Sequence, residues 1–144
     1  RLAAAGVITI TAGGGGVPLV RDADGKLHGV EAVVDKDLTA SLLAHQLGAD
    51  ALLLLTDVDG VYLDWPDPHA RCIRSSGAGG LTGVVFAPGS MGPKVEAAVR
   101  FARATGNPAH IGAMGDARAL LSGAAGTTIL ASPAPLEFWG NNDD

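Results

Sequence analysis

Two of the three lysines in this chain stand where an ammonium group could contact phosphate. Lys36 lies inside an Asp-Lys-Asp run at 35–37, and Lys94 closes a Gly-Ser-Met-Gly-Pro-Lys run at 89–94. Arginine fills seven of the ten basic positions, and the third lysine, Lys26, lies in a turn sequence. Lysine presents a compact point charge to phosphate, whereas arginine presents a rigid bidentate fork. Both lysines follow glycine-rich or turn sequences beside predicted helix starts, whose free amides also bind anions.

The run at 89–94 combines three features that stabilise anions. Its small residues permit close backbone approach, Ser90 is suited to capping a helix, and Lys94 falls in the first turn. The alternative is an ordinary capped helix with a solvated lysine. A cation in the first turn opposes the helix dipole, so a purely structural sequence would favour an acid there. We therefore predict that Lys94 contacts phosphate.

The Asp-Lys-Asp run allows two interpretations. It can be an exposed charged turn in which Asp37 caps the following helix. It can also be a device in which a carboxylate holds the Lys36 ammonium extended toward a phosphoryl group. The acids could equally fix a metal–nucleotide complex, so the residues alone do not separate their roles.

The glycine run at 13–16 follows a β-branched segment at 7–11, which we predict to be a buried strand. The next residues, Val17 and Pro18, block an immediate helix, so the run is not a dinucleotide-binding fingerprint. The chain contains no GxxxxGK[ST] phosphate loop. Two interpretations stay open, a backbone-amide nest for an anion and a flexible strand-to-hairpin turn.

The remaining pattern alternates strands with helices, which indicates an open α/β sheet. The apolar segment 51–55 is typical of a parallel strand buried on both faces. A turn at 56–60 follows it, where such sheets bind ligands. The other predicted strands cover 61–63, 110–112 and 127–130, and residues 17–34 are predicted to form a surface hairpin.

Three helices are predicted between these strands. The first, capped by Asp37 and ended by Gly48, carries a stripe of Leu38, Leu42, Leu43 and Leu47. The second buries Val95, Ala98, Val99 and Ala102, pairs Glu96 with Arg100 and stops at 106–108. The third covers 116–121. Residues 64–88 show no periodic pattern of apolar residues and are predicted to be loop. We predict one domain at 1–131, followed by a frayed tail at 132–144.

Composition narrows the classes of protein. At 144 residues with 47% hydrophobic residues the chain can bury one core, and a net charge of -5 argues against general nucleic-acid binding. A single cysteine, Cys72, precludes an internal disulfide and fits a reducing cytosol. No apolar run approaches the ~20 residues of a membrane span, and no signal peptide is visible. The four histidines lack metal-ligand spacing, so we predict no metal site and a cytoplasmic location.

Five segments in order closely resemble carbamate kinase, of the amino acid kinase family. They are AGGGGVP (12–18), GVEAVVDKDL (29–38), LLLTDVDGVY (53–62), PGSMGPKVEAAVRF (88–101) and AHIGA (109–113). The resemblance implies a three-layer α/β/α sandwich around a mostly parallel sheet, a homodimer, and reversible phosphoryl transfer between ATP and carbamate that gives ADP and carbamoyl phosphate. Magnesium would be carried on the nucleotide.

The resemblance also implies roles for individual residues. Lys36 and Lys94 would contact the transferring phosphoryl group, and Asp37 would orient them. The nucleotide would be lined by Thr56, Asp57, Val58, Tyr62, Gly89, Ser90, Met91 and Lys94, and the acceptor by Gly13, Gly14, Gly15 and Gly16.

Some features depart from the family pattern. The chain starts at Arg1, its first methionine is Met91, and the family's N-terminal half is absent. Residues 75–83 are rich in glycine where the family is more helical. We therefore expect part of a larger protein that, in isolation, binds nucleotide weakly and turns over little. Another amino acid kinase and a non-catalytic nucleotide-binding remnant are the alternatives.

Overall fold

The computed structural model describes residues 1–86 and 91–140, and the predicted Ser90 cap lies outside them. The strands are β1 (Leu19–Arg21), β2 (Leu27–Gly29), β3 (Leu52–Thr56), β4 (Val61–Leu63), β5 (Arg71–Gly77), β6 (Ala109–Ala113), β7 (Thr127–Leu130) and β8 (Glu137–Phe138). The helices are α1 (Lys36–Leu47), α2 (Met91–Thr105) and α3 (Ala117–Leu121). Short 3-10 turns occur at Ala3–Ala5 and Met114–Asp116.

The main sheet is mixed, and its strand order is β3-β6-β7-β5-β4, with β8 added alongside β5. The pairs β3–β6 and β5–β7 are parallel, whereas β6 and β7 run antiparallel. The carboxyl ends of β3 and β6 therefore share one edge, and those of β5 and β7 point to the opposite edge. The predicted α/β class is confirmed.

Helix α2 covers this sheet with the stripe that its sequence predicts. Val95, Ala98 and Ala102 are buried, Val99 is half-buried, and Phe101 adds a fully buried ring. The predicted pair between Glu96 and Arg100 forms on the exposed side. Three of the six buried residues on α2 are alanines, so a neighbouring helix can approach it closely.

Helix α1 packs against α2, and two predictions about α1 are wrong. Its N-cap is Asp35, whose carboxylate accepts hydrogen bonds from the amides of residues 37 and 38, at 2.8 and 2.9 Å. The leucine stripe does not form the buried face, because Leu42 is 57% and Leu47 70% exposed. The buried residues of α1 are Asp37 and Ser41, which hydrogen-bond to Lys94 and Ala97 of α2. The helix ends at Gly48 as predicted, in a left-handed conformation.

The first 34 residues lie largely outside the core. The predicted hairpin forms between β1 and β2. The strand predicted at 7–11 does not form, because no described strand pairs with it, and Ile8 and Ile10 are 94% and 98% exposed. β-Branched residues favour an extended backbone, but a strand also needs a hydrogen-bonded neighbour.

Two segments predicted to be irregular are ordered. Strand β5 lies inside the region expected to be loop, and β8 lies in the tail expected to be frayed. Arg71 stacks on Phe138, 3.9 Å from the ring centre, and Arg74 stacks on Trp139 at 5.1 Å. The sequence of β5 shows no apolar alternation because its arginines are covered by aromatic rings from the tail.

Candidate phosphate-binding and nucleotide-binding site

The Asp37 carboxylate holds both lysines singled out from the sequence. The Lys94 ammonium lies 2.9 Å from Asp37 Oδ2, and the Lys36 ammonium lies 3.8 Å from the same oxygen. The side chains of Lys94 and Asp37 are 8% and 10% exposed, whereas that of Lys36 is 65% exposed. One lysine is therefore fixed in the protein, and the other reaches the same point from solvent.

The helix starts explain this convergence. The Asp35 cap places Lys36 and Asp37 in the first turn of α1, and Lys94 lies in the first turn of α2. The Ser41 hydroxyl donates a 2.9 Å hydrogen bond to the Ala97 carbonyl, which holds the two helices together next to the ion pair. The helix dipole at the N-terminus of α1 favours the Asp37 anion. That anion in turn offsets the unfavourable position of the Lys94 cation.

The glycine run lies against the same helix start. The Thr39 hydroxyl on α1 donates a 2.9 Å hydrogen bond to the Gly15 carbonyl. A Cβ atom at Gly15 would lie 2.3 Å from the Val34 carbonyl oxygen, and the φ angle of Gly15 is +126°. Only glycine fits this position. The hydrogen bond from Thr39 places Gly15 against the first turns of α1.

A cavity of about 440 Å³ opens beside the turn that follows β3. It is lined by the predicted residues Thr56, Asp57, Val58, Tyr62 and Met91. The cavity is also lined by residues that were not predicted, among them Leu63, Trp65, Val84 and Phe86. Trp65 could have been found from the sequence, because it is one of two tryptophans and closely follows the turn at 56–60. Leu63, Val84 and Phe86 belong to no motif. The predicted residues Gly89 and Ser90 lie outside the described residues.

Hydrogen bonds fix the polar groups of this cavity. The Tyr62 hydroxyl bonds both Asp59 carboxylate oxygens, at 2.9 and 3.0 Å. Burial, reinforced by the bond to Asp59, raises the pKa of Tyr62, so its ring stays neutral. The Thr56 hydroxyl donates a 3.0 Å hydrogen bond to Asp57, whose side chain is exposed. The cavity therefore combines apolar walls with a few fixed polar groups, as small-molecule sites do.

Helix α2 connects the cavity with the lysines. Met91 lines the cavity, and Lys94 lies three residues further along the same helix. Three residues of helix rise by about 4.5 Å, or nearly one turn. A ligand that fills the cavity can therefore extend a charged end to Lys94 and Lys36.

Two other reactive side chains lie away from the lysines. Burial, with a contribution from the Asp59 carboxylate, raises the pKa of Cys72 to about 11, which disfavours a reactive thiolate. His110 lies buried in β6 with Nδ1 3.1 Å from the Thr128 hydroxyl, and its Nε2 has no partner among residues 1–86 and 91–140. Residues 1–86 and 91–140 contain no group of three histidine, cysteine or acidic side chains that could hold a metal ion. None of the helices in these ranges has a membrane-spanning apolar stretch.

Comparison with known proteins agrees with this architecture. The sequence model of the amino acid kinase family matches residues 1–113. The chain belongs to the amino acid kinase family.

Within that family, the chain is similar to carbamate kinases. It is 42% identical over 134 residues to carbamate kinase of Haemophilus influenzae, covering 93% of this chain and 43% of that protein. It is 47% identical over 124 residues to carbamate kinase of Escherichia coli K12, covering 86% and 40%. The chain thus spans about two fifths of the length of these curated relatives.

A solved structure extends the similarity to the fold. Carbamate kinase from Giardia lamblia bound to AMP-PNP superposes with a TM-score of 0.82 at 38% identity, covering 91% of this chain and 47% of that one. The predicted resemblance is therefore confirmed.

Proposed function

We propose that this chain is the nucleotide-binding portion of a carbamate kinase, which transfers a phosphoryl group reversibly between ATP and carbamate. The observation that carries the proposal is the placement of two ammonium groups on one carboxylate oxygen, one helical turn from a cavity of nucleotide size. The full reaction belongs to the longer protein, because the curated relatives are more than twice as long as the matched region.

In this proposal the nucleotide occupies the cavity and its terminal phosphates extend toward Lys94 and Lys36. Magnesium arrives on the phosphates of the nucleotide as part of the substrate. The transferring phosphoryl group spreads negative charge over its oxygens, and two positioned cations stabilise that charge. Asp37 keeps the Lys94 ammonium in place so that little reorganisation is needed when the phosphate arrives.

The acceptor is proposed to bind beside the glycine run. The loop at 13–16 passes next to the α1 start, and its positive φ angles expose backbone to a small anion. Carbamate and carbamoyl phosphate are such anions. The relatives named carbamate kinase, at 40–48% identity, favour this acceptor over those of other amino acid kinases.

The remaining expectations follow from the same proposal. We propose a cytoplasmic enzyme whose partners are small molecules and which assembles as a homodimer, without nucleic-acid or membrane partners. In isolation the chain is expected to bind nucleotide weakly and to turn over little, because the part of the relatives that it does not match would supply the rest of the site.

Titration of the chain with ADP tests the proposal. Replacing Lys94 or Lys36 with alanine removes a charge-assisted hydrogen bond worth about 1.5–3 kcal/mol, so we expect ADP affinity to fall about 10- to 100-fold. Lys36→Ala is the safer variant for folding because its side chain is largely exposed. Lys26→Ala, in the hairpin turn, is the matched control and should not change affinity. Equal affinity in all four proteins would refute the proposed phosphate site.

A second assay separates the remaining alternatives. Formation of ATP from carbamoyl phosphate and ADP, measured with luciferase, reports the reaction. Binding without any ATP formation, even when the upstream portion of a relative is added, would favour the non-catalytic remnant. ATP formation with another acyl phosphate but not with carbamoyl phosphate would favour another amino acid kinase.

A further inference from the structure

One wall of the cavity is aromatic. The Trp65 side chain lines it and is 62% exposed, one of the large apolar side chains left open to solvent. The Tyr62 ring lies next to the Trp65 ring. Their centroids are 5.6 Å apart, and the angle between the two ring planes is 57°. Because Tyr62 is itself held by Asp59, the tyrosine ring acts as a fixed support for the indole.

The sheet topology places this aromatic pair opposite the phosphate end. Helix α1, which carries Lys36, packs against β3 and α2, and β3 is one edge of the sheet. Trp65 follows β4, the opposite edge. The cavity lies between, with the turn after β3 and the start of α2 in its wall. A bound molecule whose phosphates contact the lysines therefore directs its other end toward Trp65.

We infer that the Trp65 indole is the surface on which the base of the nucleotide stacks. The inference rests on the proposed function, which supplies the nucleotide but assigns no role to Trp65. An exposed indole presents a flat face to a base, and stacking a base on an aromatic side chain is worth about 1–3 kcal/mol. Val84 and Phe86 supply apolar surface in the same cavity. Trp65 thereby contributes affinity for the base, and Tyr62 positions the Trp65 indole.

Fluorescence and two ligands test this inference. The chain has two tryptophans, and the other, Trp139, bonds the Gly126 carbonyl away from this cavity. In a Trp139→Phe variant all tryptophan emission comes from Trp65. Addition of ADP should quench that emission, and addition of inorganic tripolyphosphate, which has no base, should leave it nearly unchanged.

Affinities of Trp65 variants complete the test. Trp65→Leu should weaken ADP binding about 5- to 100-fold while tripolyphosphate binding is unchanged, and Trp65→Phe should restore most of the ADP affinity. Lys36→Ala should weaken both ligands. The inference is overturned if Trp65→Leu binds ADP as tightly as the unaltered chain, or if it loses tripolyphosphate equally, since the second result would mean a structural role. If the unaltered chain binds tripolyphosphate but not ADP, both this inference and the proposed function fail.

Discussion

The ion pair between Asp37 and Lys94 is expected to contribute strongly to stability, and a double-mutant cycle measures that contribution. At 2.9 Å with an effective dielectric constant of 20, the attraction is roughly 6 kcal/mol before desolvation is subtracted. Breaking a buried pair by removing one partner typically costs about 3–5 kcal/mol, because the other charge stays buried. Lys36 lies 3.8 Å from the same carboxylate and is mostly exposed, so it compensates only in part for loss of Lys94.

The cycle uses Asp37→Asn, Lys94→Met and the double variant. We expect each single change to lower the free energy of unfolding by about 3 kcal/mol, and the double change to cost about 1.5–3 kcal/mol less than their sum. Urea unfolding followed by circular dichroism provides the measurement. Glu96→Gln with Arg100→Met is the matched control, because that pair is exposed and should couple by less than about 0.5 kcal/mol. Additive effects at Asp37 and Lys94, or single effects below about 1 kcal/mol, would refute the argument.

Three further predictions concern the scaffold. Asp35→Ala removes the α1 N-cap and should lower the free energy of unfolding by about 1 kcal/mol in urea titration; no change would mean that the cap is dispensable. Gly77→Ala should destabilise by about 1–3 kcal/mol, because its Cβ would lie 2.5 Å from the Ala134 amide nitrogen, whereas Gly79→Ala has open space and should be nearly neutral; equal effects would contradict the packing of residues 132–134 on β5. Burial lowers the pKa of His110 from 6.5, so the unfolded chain binds more protons and stability should fall as pH drops below about 6.5, by up to about 1.4 kcal/mol per unit. His110→Gln should flatten this dependence and His45→Gln, on the surface, should not.

The helix starts that carry Lys36 and Lys94 could be predicted because their sequence signals are local. Each lysine lies in a short run whose capping and glycine residues describe a helix start, and such signals depend on neighbours in sequence. What the sequence did not predict is the partner of each charge. Asp37 was expected as a helix cap or an orienting acid, and only the packing of α1 on α2 brings Lys94 to it.

The wrong predictions about β5, β8 and the buried face of α1 have one cause. Strand β5 and the segment around β8 stabilise each other through Arg71, Arg74 and two aromatic rings, a contact across more than sixty residues. Neither segment shows a periodic pattern of apolar residues that would predict a strand. The prediction that the leucines of α1 form its buried face was wrong for a related reason, because that helix packs on α2 through Asp37 and Ser41. Tertiary contacts overrode local pattern in each place.

A crystal structure of this chain with AMP-PNP would show directly whether the two lysines bind phosphate. We expect the terminal phosphate to lie within hydrogen-bonding distance, about 2.7–3.2 Å, of the ammonium groups of both Lys36 and Lys94. The base should then lie in the cavity against Trp65. A nucleotide bound in another cavity, or one in this cavity with its phosphates directed away from both lysines, would contradict the proposed phosphate site.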